Sequence, residues 1–132
     1  MSLGKLAVVE RWLDAVNRAD LPTLLALTDD DLELVGPRGR GRGKELLEQW
    51  LARAGFRAEP VRWFCGANEQ VVVEQIAQWS ASDASGASPP KRISSSFTVR
   101  DERVARFQRF DELALALRAA GMGVEDEVLA RS

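Results

Sequence analysis

Residues 8–37, VVERWLDAVNRADLPTLLALTDDDLELVGP, organise this sequence, and they predict two helices followed by a strand. The apolar residues Val9, Leu13 and Val16 recur at the three- and four-residue spacing that places side chains on one face of a helix. Trp12 widens this apolar face, and charged residues occupy the opposite side. We therefore expect the first helix to pack Trp12 and its neighbours against the rest of the domain.

The end of the same stretch predicts a short second helix and the first strand. Asp20 is a favourable N-cap residue, and Pro22 stands in the first turn, where the missing amide hydrogen is not needed. We expect the acidic run at residues 29–31 to end this helix. Residues 32–35 then predict a strand that stops at Gly36.

The remaining residues predict one more helix, four successive strands and a closing helix. Alternating apolar and polar residues favour strands, and three- and four-residue spacing favours helices. The predicted elements are a helix at Lys44–Ala54, strands at 61–65, Gln70–Trp79, Lys91–Arg100 and 104–110, and a helix with Leu113, Leu115 and Leu117 that ends near Gly121.

Glycine, proline and small polar residues predict the connections. The segments GPRGRGRG at residues 36–43 and SASDASGASPP at residues 80–90 are both expected to be loops, the second at the end of a long hairpin. Residues 66–69 and 101–102 are expected to form hairpin turns. The acidic tail at residues 121–132 is expected to be loose.

The predicted order of elements favours a single α+β domain that spans residues 1–132. Successive strands joined by hairpins form a mostly antiparallel sheet, and we expect the helices to pack on one face of it. The chain is long enough to bury a substantial core. Its hydrophobic fraction of 45% and charged fraction of 29% are ordinary for a globular domain.

Charge and residue content argue against several functions. The formal net charge of −2 gives no electrostatic basis for binding nucleic acid or an anionic membrane. No apolar run approaches membrane-spanning length and no signal peptide is recognisable, so we expect a cytoplasmic protein. The sequence has no histidine and no tyrosine, which removes the commonest general base and metal ligand and the phenolic proton donor. We therefore expect no metal and no cofactor.

The order of elements and the sequence of residues 9–37 resemble the ketosteroid isomerase and nuclear-transport-factor-like superfamily, which includes the SnoaL-like polyketide cyclases. The resemblance extends to about Gly121. It is densest in the first two helices with their aspartate ending, at Gly43 before the third helix, and in the turn at Arg103 that leads to Phe107. It implies a curved sheet wrapped round the N-terminal helices as a cone with an interior pocket. It also implies dimerisation through the outer face of the sheet.

The resemblance further implies positions for the catalytic groups of the isomerases. The general base, an aspartate at the end of the first strand, falls on Val35 in this sequence. The tyrosine and the protonated aspartate of the oxyanion hole fall on Trp12 and near Ser95. Valine cannot transfer a proton, and an indole is a weaker hydrogen-bond donor than a phenol. We therefore do not expect isomerase activity of that type.

Aromatic residues supply most of the candidates for lining a pocket. Four tryptophans are many for a domain of this size, and a large apolar cavity needs such walls. Ser95 shares strand parity with Phe97, which makes it a candidate polar anchor inside the cone. The candidate ligand-binding residues are Trp12, Val35, Trp50, Trp63, Trp79, Ser95, Phe97 and Phe107.

These candidates also have structural interpretations that the sequence leaves open. All the aromatic residues could be ordinary core residues. Trp63 and Trp79 could instead lie on an outer surface that forms a dimer. Ser95 is also compatible with an ordinary position on an edge of the sheet.

Glu33 is the candidate for a replacement general base, because it shares the strand parity of Val35. A carboxyl group in an apolar pocket has a raised pKa that suits proton transfer. A glutamate on the surface of the first strand is the alternative. We expect Glu74 to face solvent or a partner and Asp111 to cap the closing helix. The arginines of residues 36–43 could hold an anionic ligand or lie in solvent.

Three hypotheses about function follow from the sequence. The first is a domain that binds an apolar small molecule inside the cone and forms a homodimer. The second is a SnoaL-like isomerase, cyclase or hydrolase with a non-standard carboxylate as its base. The third is an interaction module whose aromatic surface only forms dimers. A carboxylate with a raised pKa inside the cone would favour the second hypothesis, and an interior filled by its own aromatic rings would favour the third.

Overall fold

The computed structural model describes the chain in five ranges, which carry four helices and seven strands. The described residues are 4–36, 39–54, 56–66, 69–79 and 91–128. The side chains of residues 50–54, 56 and 79 lie outside this description. The helices are α1 (Lys5–Asn17), α2 (Leu21–Ala26), α3 (Lys44–Ala54) and α4 (Leu113–Ala119). The strands are β1 (Thr28–Gly36), β2 (Gly39–Arg42), β3 (Phe56–Cys65), β4 (Gln70–Trp79), β5 (Lys91–Arg100), β6 (Arg103–Phe110) and β7 (Glu127–Val128), and a 3-10 turn at Val124–Asp126 precedes β7.

The seven strands form one sheet in the order β2-β1-β6-β5-β4-β3-β7. Neighbouring strands are antiparallel except for β1 and β6, which run parallel. The helix α1 contacts the four adjacent strands β3, β4, β5 and β6, and one helix reaches four strands when the sheet curves round it. Shifts of register between Pro60 and Arg62 and between Thr98 and Val99 bend the strands further. The predicted α+β class with a curved, mostly antiparallel sheet is confirmed.

The two N-terminal helices follow the sequence pattern. Trp12 and Val16 are buried on the predicted face of α1. The chain leaves the helix at Ala19, where φ is 53°. Asp20 then caps α2 by accepting a hydrogen bond from the amide of Thr23 at 3.4 Å. The predicted break between the helices and the predicted cap are both confirmed.

The inner face of the sheet, on the side of α1, holds the main core. Cross-strand register places Val71, Phe97 and Phe107 side by side on this face. Ile93 and Ser95 precede Phe97 at intervals of two residues, and both are buried. The predicted strand is confirmed, and its odd-numbered residues face α1. The small polar residues at its even-numbered positions are buried as well, on the opposite face.

The outer face, on the opposite side of the sheet, is covered in part by α4. Phe64 and Val72 are cross-strand neighbours there, and they pack with Ala116 and Leu117 of α4 as a second apolar cluster. The expectation that all helices lie on one face is therefore wrong. The physical reason is that Phe64 and Val72 present apolar surface on the face away from α1, and this surface needs its own cover. Leu115, which the spacing also assigned to the closing helix, is 45% exposed.

Two segments near the glycine–arginine stretch are strands rather than a helix end and a loop. β1 begins at Thr28, so the acidic run at residues 29–31 lies in a strand and does not end α2. Residues 39–42, which we expected to be a loop, form β2 and pair antiparallel with β1. Glycine at position 41 leaves room for the side chain of Leu46 of α3, which a Cβ atom there would meet.

The strand β3 and the C-terminal tail also extend beyond their predicted limits. β3 begins at Phe56 and passes through Pro60, which stands at a shift of register, the kind of position where a strand tolerates proline. Residues 127–128, part of the tail that we expected to be loose, form β7 on the edge of β3. The Arg62 guanidinium donates two hydrogen bonds to the Glu127 carboxylate, at 3.1 and 2.9 Å. This exposed ion pair helps to hold the tail on the sheet.

The hairpins of the central strands agree with the prediction. β4 and β5 pair antiparallel, as strands joined by a hairpin do, although the predicted loop at residues 80–90 lies outside the described residues. Asp101 and Glu102 join β5 to β6, with φ values of 52° and 64°. Positive φ at both central residues is characteristic of a type I′ turn, in which glycine is preferred at the second position. Glu102 therefore adopts a conformation that costs free energy for a residue with a Cβ atom.

The substitution Glu102→Gly tests this interpretation of the turn. We expect it to raise the free energy of unfolding by about 0.5–1 kcal/mol, because relief of the left-handed strain exceeds the entropy that glycine adds to the unfolded chain. Chemical denaturation monitored by circular dichroism measures the change. Glu102→Ala is the matched control, since alanine keeps the Cβ atom and should give no gain. Equal effects of the two substitutions would contradict the assignment.

Candidate functional site

Three aromatic rings form the floor of the inner face. Trp12 lies 5.4 Å from Phe97 and 5.4 Å from Phe107 between ring centroids, and the two phenylalanine rings are 5.1 Å apart. We call these three residues the aromatic cluster. Trp12 is 1% exposed and Phe97 is 0% exposed, so the space beside these rings is filled by protein atoms. The cluster is a closed core at this depth of the cone.

The N–H group of the Trp12 indole already has a hydrogen-bond partner. Its Nε1–H donates to Thr28 Oγ1 at 3.0 Å, and the Thr28 hydroxyl donates in turn to the carbonyl oxygen of Leu24 at 2.7 Å. Both bonds are buried. Trp12 is therefore not placed to replace the phenolic donor of the isomerases, which the resemblance assigned to this position.

A buried polar pair lies one strand step beyond the aromatic cluster. The Ser95 hydroxyl donates to Gln75 Oε1 at 2.6 Å, and both residues are 0% exposed. Gln75 and Ser95 lie on the inner face because their strand positions alternate with the outward residues of β4 and β5. We call them the Gln75–Ser95 pair. Ser95 therefore lies in the interior, as predicted. Its hydrogen-bond partner, Gln75, was not predicted from the sequence.

The amide nitrogen of Gln75 is the unusual atom of this pair. Nε2 is buried and makes no hydrogen bond to any described residue. Exchanging the amide oxygen and nitrogen would only move the deficit to the oxygen. A buried amide group that lacks its hydrogen bond costs about 1–3 kcal/mol relative to a satisfied one. The interior therefore carries an unused hydrogen-bonding group in a largely apolar surrounding.

Two cations stand at the end of the sheet nearest to this pair. Cross-strand register places Arg109 beside Ser95 and Lys91 beside Ala77 on the inner face. Lys91 Nζ lies 3.3 Å and Arg109 Nη2 lies 3.6 Å from Asp111 Oδ1. We call the region formed by Ala77, Lys91 and Arg109 the Lys91 end. Both of its cations contact the same carboxylate.

Asp111 does not play its predicted role as a helix cap. The N-cap residue of α4 is Glu112, and its side chain makes no capping hydrogen bond. The hydrogen bond and the charge of Lys91, followed by the charge of Arg109, lower the pKa of Asp111. Asp111 is therefore ionised at neutral pH, and its lowered pKa makes it a poor general base.

The structure turns Val35 and Glu33 away from the interior. Leu34 pairs with Phe107 of the inner face, so its two neighbours in β1 point to the outer face. Glu33 lies there between two guanidinium groups, at 3.5 Å from Arg40 Nη1 and 3.4 Å from Arg106 Nε. The expectation that Val35 lines the pocket is therefore wrong, and of the two interpretations of Glu33 the surface glutamate is the one that the structure supports. The two-residue spacing predicts correctly that the two side chains lie on the same face of β1, but it does not show which face this is.

The structure places two more of the candidate residues, Trp63 and Glu74. Trp63 is buried in the main core on the inner face, so of its two interpretations the outer dimer surface is wrong. The side chains of Trp50 and Trp79 lie outside the described residues. Glu74 lies on the outer face but is largely buried, with Oε1 at 3.2 Å from Arg92 Nη1. Of the two predicted surroundings, solvent is therefore wrong, and a partner on this face stays a prediction.

The inner face of the central strands offers donors but no carboxylate. The described residues with inner-face parity in β4, β5 and β6 include no aspartate and no glutamate. Their polar groups are the Gln75 amide, the Ser95 hydroxyl, the Arg109 guanidinium and the Lys91 ammonium. Such a set can bind an oxygen acceptor or an anion, and it has no group suited to removing a proton from a ligand. Within the described ranges, no three acidic or cysteine side chains are grouped so that they could hold a metal ion.

Gln75 and Arg109 are the site residues that the sequence analysis missed. Gln75 interrupts an alternating series in which Val71, Val73 and Ala77 are apolar. Arg109 follows Phe107 by two residues, the spacing that keeps a side chain on one face of a strand. In both cases a polar residue stands at a strand position whose neighbours two residues away are apolar, and the sequence alone shows this.

These features define a cone-shaped α+β domain of the nuclear-transport-factor-like class, with a polar pair inside the cone. The chain belongs to the SnoaL-like domain family, whose sequence pattern matches residues 9–107. The resemblance inferred from the sequence is thereby confirmed. No curated protein matches the chain. None of the helices in the described ranges is both long and apolar enough to cross a membrane.

Three solved structures show the same fold. An NTF2-like protein of unknown function from Cytophaga hutchinsonii is 13% identical with a TM-score of 0.70, and the match covers 83% of this chain and 91% of that chain. A candidate polyketide cyclase from Pseudomonas putida is 20% identical with a TM-score of 0.69, covering 86% and 95%. A protein with a ketosteroid isomerase-like fold from Catenulispora acidiphila is 18% identical with a TM-score of 0.68, covering 89% and 95%. At these identities the likeness concerns the fold alone.

The double substitution Gln75→Met with Ser95→Ala tests whether the buried amide is unsatisfied. We expect it to raise the free energy of unfolding by about 1–3 kcal/mol, because it removes both partners and replaces the amide by an apolar group of similar size. Ser95→Ala alone should lower the stability, since it leaves the Gln75 amide with no partner among the described residues. Urea denaturation measures both changes. A destabilised double variant would mean that the amide is satisfied, for example by a buried water.

Proposed function

We propose that this domain binds a small, mostly apolar molecule on the inner face of its sheet, with an oxygen acceptor of the ligand hydrogen-bonded to the Gln75–Ser95 pair. The observation that carries the proposal is the buried Gln75 amide whose Nε2 makes no hydrogen bond to the described residues. Buried polar groups are normally satisfied, and an exception in a folded protein calls for an explanation. An acceptor oxygen on a ligand provides one.

The packing of the inner face suggests where such a ligand enters. The aromatic cluster leaves no room beside Trp12 and Phe97, which are 1% and 0% exposed. At the Lys91 end, by contrast, the Lys91 and Arg109 side chains reach the surface, with 52% and 24% exposure. We infer that a ligand enters at the Lys91 end and displaces side chains above the Gln75–Ser95 pair. The aromatic cluster then forms the floor beneath it.

Names given to related structures agree with a small organic ligand. The Catenulispora acidiphila protein was crystallised in complex with trimethylamine, and the Pseudomonas putida protein is named as a candidate polyketide cyclase. Both names concern small organic molecules. They support a small organic ligand for this chain and say nothing about its oxygen acceptor, since trimethylamine has no oxygen atom.

Binding is favoured over catalysis by the composition of the inner face. The described inner-face residues of β4, β5 and β6 supply donors but no carboxylate, and Glu33 pairs with arginines on the outer face. An enzyme that uses Glu33 as its base therefore finds no support in the geometry. The proposal is a binding domain whose interior holds and orients its ligand.

A titration with the fluorescent ketone prodan tests the proposal, because prodan is apolar, carries one acceptor carbonyl, and changes its emission in an apolar site. We expect saturable binding with a blue shift. Gln75→Met with Ser95→Ala should weaken binding by about tenfold, which corresponds to the loss of one net hydrogen bond of about 1.4 kcal/mol.

The outer face supplies a matched control for this titration. Ser96 donates to Gln70 Oε1 at 3.2 Å on the opposite side of the same two strands. Gln70→Met with Ser96→Ala removes the same chemical groups and should leave prodan binding unchanged. Absence of saturable binding to the unmodified protein, or equal loss in the two double variants, would overturn the proposal.

The close packing of the aromatic cluster also supports a second candidate, an interaction module that forms a homodimer. Because α4 covers Phe64 and Val72, we propose that such a dimer uses the rest of the outer face around Ile76, which is 38% exposed. The Glu74–Arg92 ion pair lies beside it and could complement the same face of a second copy. This candidate requires no ligand.

The substitution Ile76→Asp tests the dimer. Placing an unpaired charge in an apolar contact should convert a dimer to a monomer at micromolar concentration, as measured by light scattering after size exclusion. Val124→Asp is the control, because Val124 is 65% exposed at a different place and should leave the mass unchanged. A monomeric unmodified protein would exclude the dimer and leave ligand binding as the candidate.

A further inference from the structure

The two edges of the sheet differ in how they are covered. At one edge β7 pairs with β3, so the C-terminal residues of the chain itself close that side. The other edge is β2, which pairs with β1 and, among the described residues, with no second strand. An uncovered edge strand presents backbone N–H and C=O groups that can pair with another extended segment. β2 is therefore a candidate interaction site apart from the inner face.

The hydrogen bonds between β1 and β2 show which backbone groups point to this edge. The amide of Gly43 donates to the carbonyl oxygen of Leu32 at 2.7 Å, one step beyond the cross-strand pair of Glu33 and Arg42. In an antiparallel ladder, hydrogen-bonded pairs alternate with pairs whose backbone groups point away from each other. Arg42 and, two residues earlier, Arg40 therefore direct their N–H and C=O groups to the open edge.

The same two residues carry their charges on the outer face, which their cross-strand partners Glu33 and Val35 share. Both guanidinium groups are exposed. Arg40 Nη1 lies 3.5 Å from Glu33 Oε2, whereas Arg42 makes no ion pair with any residue that the structure describes. An antiparallel partner places its side chains directly opposite and on the same face. Acidic residues two positions apart in such a partner would each face one arginine.

The opposite edge of the sheet shows the same chemistry within the chain. There Glu127 of β7 accepts two hydrogen bonds from the guanidinium group of Arg62 in the neighbouring strand β3. An arginine on one strand thus holds a short extended segment with an acidic residue beside it. β2 carries two exposed arginines in a comparable position, at the other end of the strand order.

The residues of β2 also limit what can pair with it. Arg40 and Arg42 are the residues whose backbone groups face the edge, so antiparallel pairing with a second copy would place arginine opposite arginine, which destabilises a sheet. On the inner side, Leu46 of α3 packs over Gly41 and is only partly buried. An apolar side chain opposite Gly41 can cover Leu46 there. These features favour a segment in which an apolar residue stands between two acidic ones.

We propose that the β2 edge binds an extended segment of a partner protein in which two acidic residues flank an apolar residue. The segment pairs antiparallel with β2 as a new edge strand. Its acidic residues exchange backbone hydrogen bonds with Arg40 and Arg42 and pair with their guanidinium groups, and its apolar side chain covers Leu46. The interaction is independent of the ligand proposed for the inner face, so the prodan titration and the peptide experiment below can fail separately.

Fluorescence anisotropy with the labelled peptide TTEVETT, capped at both ends, tests the proposal. We expect saturable binding, and at least about tenfold weaker binding of TTQVQTT, which keeps the shape and loses both charges. N-methylation of both glutamates removes the N–H groups that face β2 and should abolish binding. N-methylation of the central valine, whose N–H points away from β2, is the matched control and should preserve binding.

Substitutions in the protein test the role of the arginines. Arg42→Glu should weaken binding of TTEVETT by about tenfold, because it replaces an attraction across the new pair of strands by a repulsion. Arg118→Glu changes the net charge equally at an exposed position of α4 and should leave binding unchanged. The peptide TTKVKTT should bind Arg42→Glu more tightly than it binds the unmodified protein.

The remaining outcomes overturn the proposal. Absence of saturable TTEVETT binding would do so, as would equal binding of the two N-methylated peptides. Equal losses in Arg42→Glu and Arg118→Glu would show a general attraction of charge without a site at β2. Slow hydrogen exchange of the Arg40 and Arg42 amides in the protein alone would mean that a second copy or another part of this chain already covers the edge.

Discussion

The contact of Trp12 with Phe97 and Phe107 joins the first helix to the sheet, and the curvature of the sheet depends on it. Ring centroids 5.1–5.4 Å apart place three large side chains in mutual contact, at distances favourable for aromatic pairs. The indole also donates to Thr28, the first residue of β1. One side chain therefore links α1 to β1, β5 and β6. Loss of such a buried aromatic residue typically costs about 3–5 kcal/mol.

That closed floor divides the interior into two parts with different physical roles. Below, the aromatic cluster is packed as a core and contributes stability. Above it, the Gln75–Ser95 pair places polar groups where apolar side chains would stabilise the sheet more. Polar groups that lower the stability of the fold and are nevertheless kept are characteristic of functional sites. The same division explains how a chain can keep the cone of its family without the acid and base of the isomerases.

Local patterns predicted most of the fold and less of the site. The spacing in α1, the cap at Asp20 and the alternation in β5 all depend on neighbouring residues, so the sequence reveals them directly. The face that β1 presents depends on its parallel register with β6, which no local pattern encodes, and Val35 was assigned to the wrong face for that reason. The position of α4 likewise depends on Phe64 and Val72, which are distant in sequence. Gln75 was visible as a break in an apolar alternation, but its missing hydrogen bond could be recognised only in three dimensions.

The side-chain amide signals of Gln75 in a proton–nitrogen NMR spectrum test the central claim most directly. If the amide is the anchor for a ligand oxygen, saturation with prodan should shift its two proton resonances downfield and slow their exchange with solvent. The signals of Gln70, which faces the opposite side of the same strand, should stay in place. Movement of the Gln75 signals alone would support an interior that binds its ligand through this amide. Unchanged Gln75 signals at saturation would contradict that account.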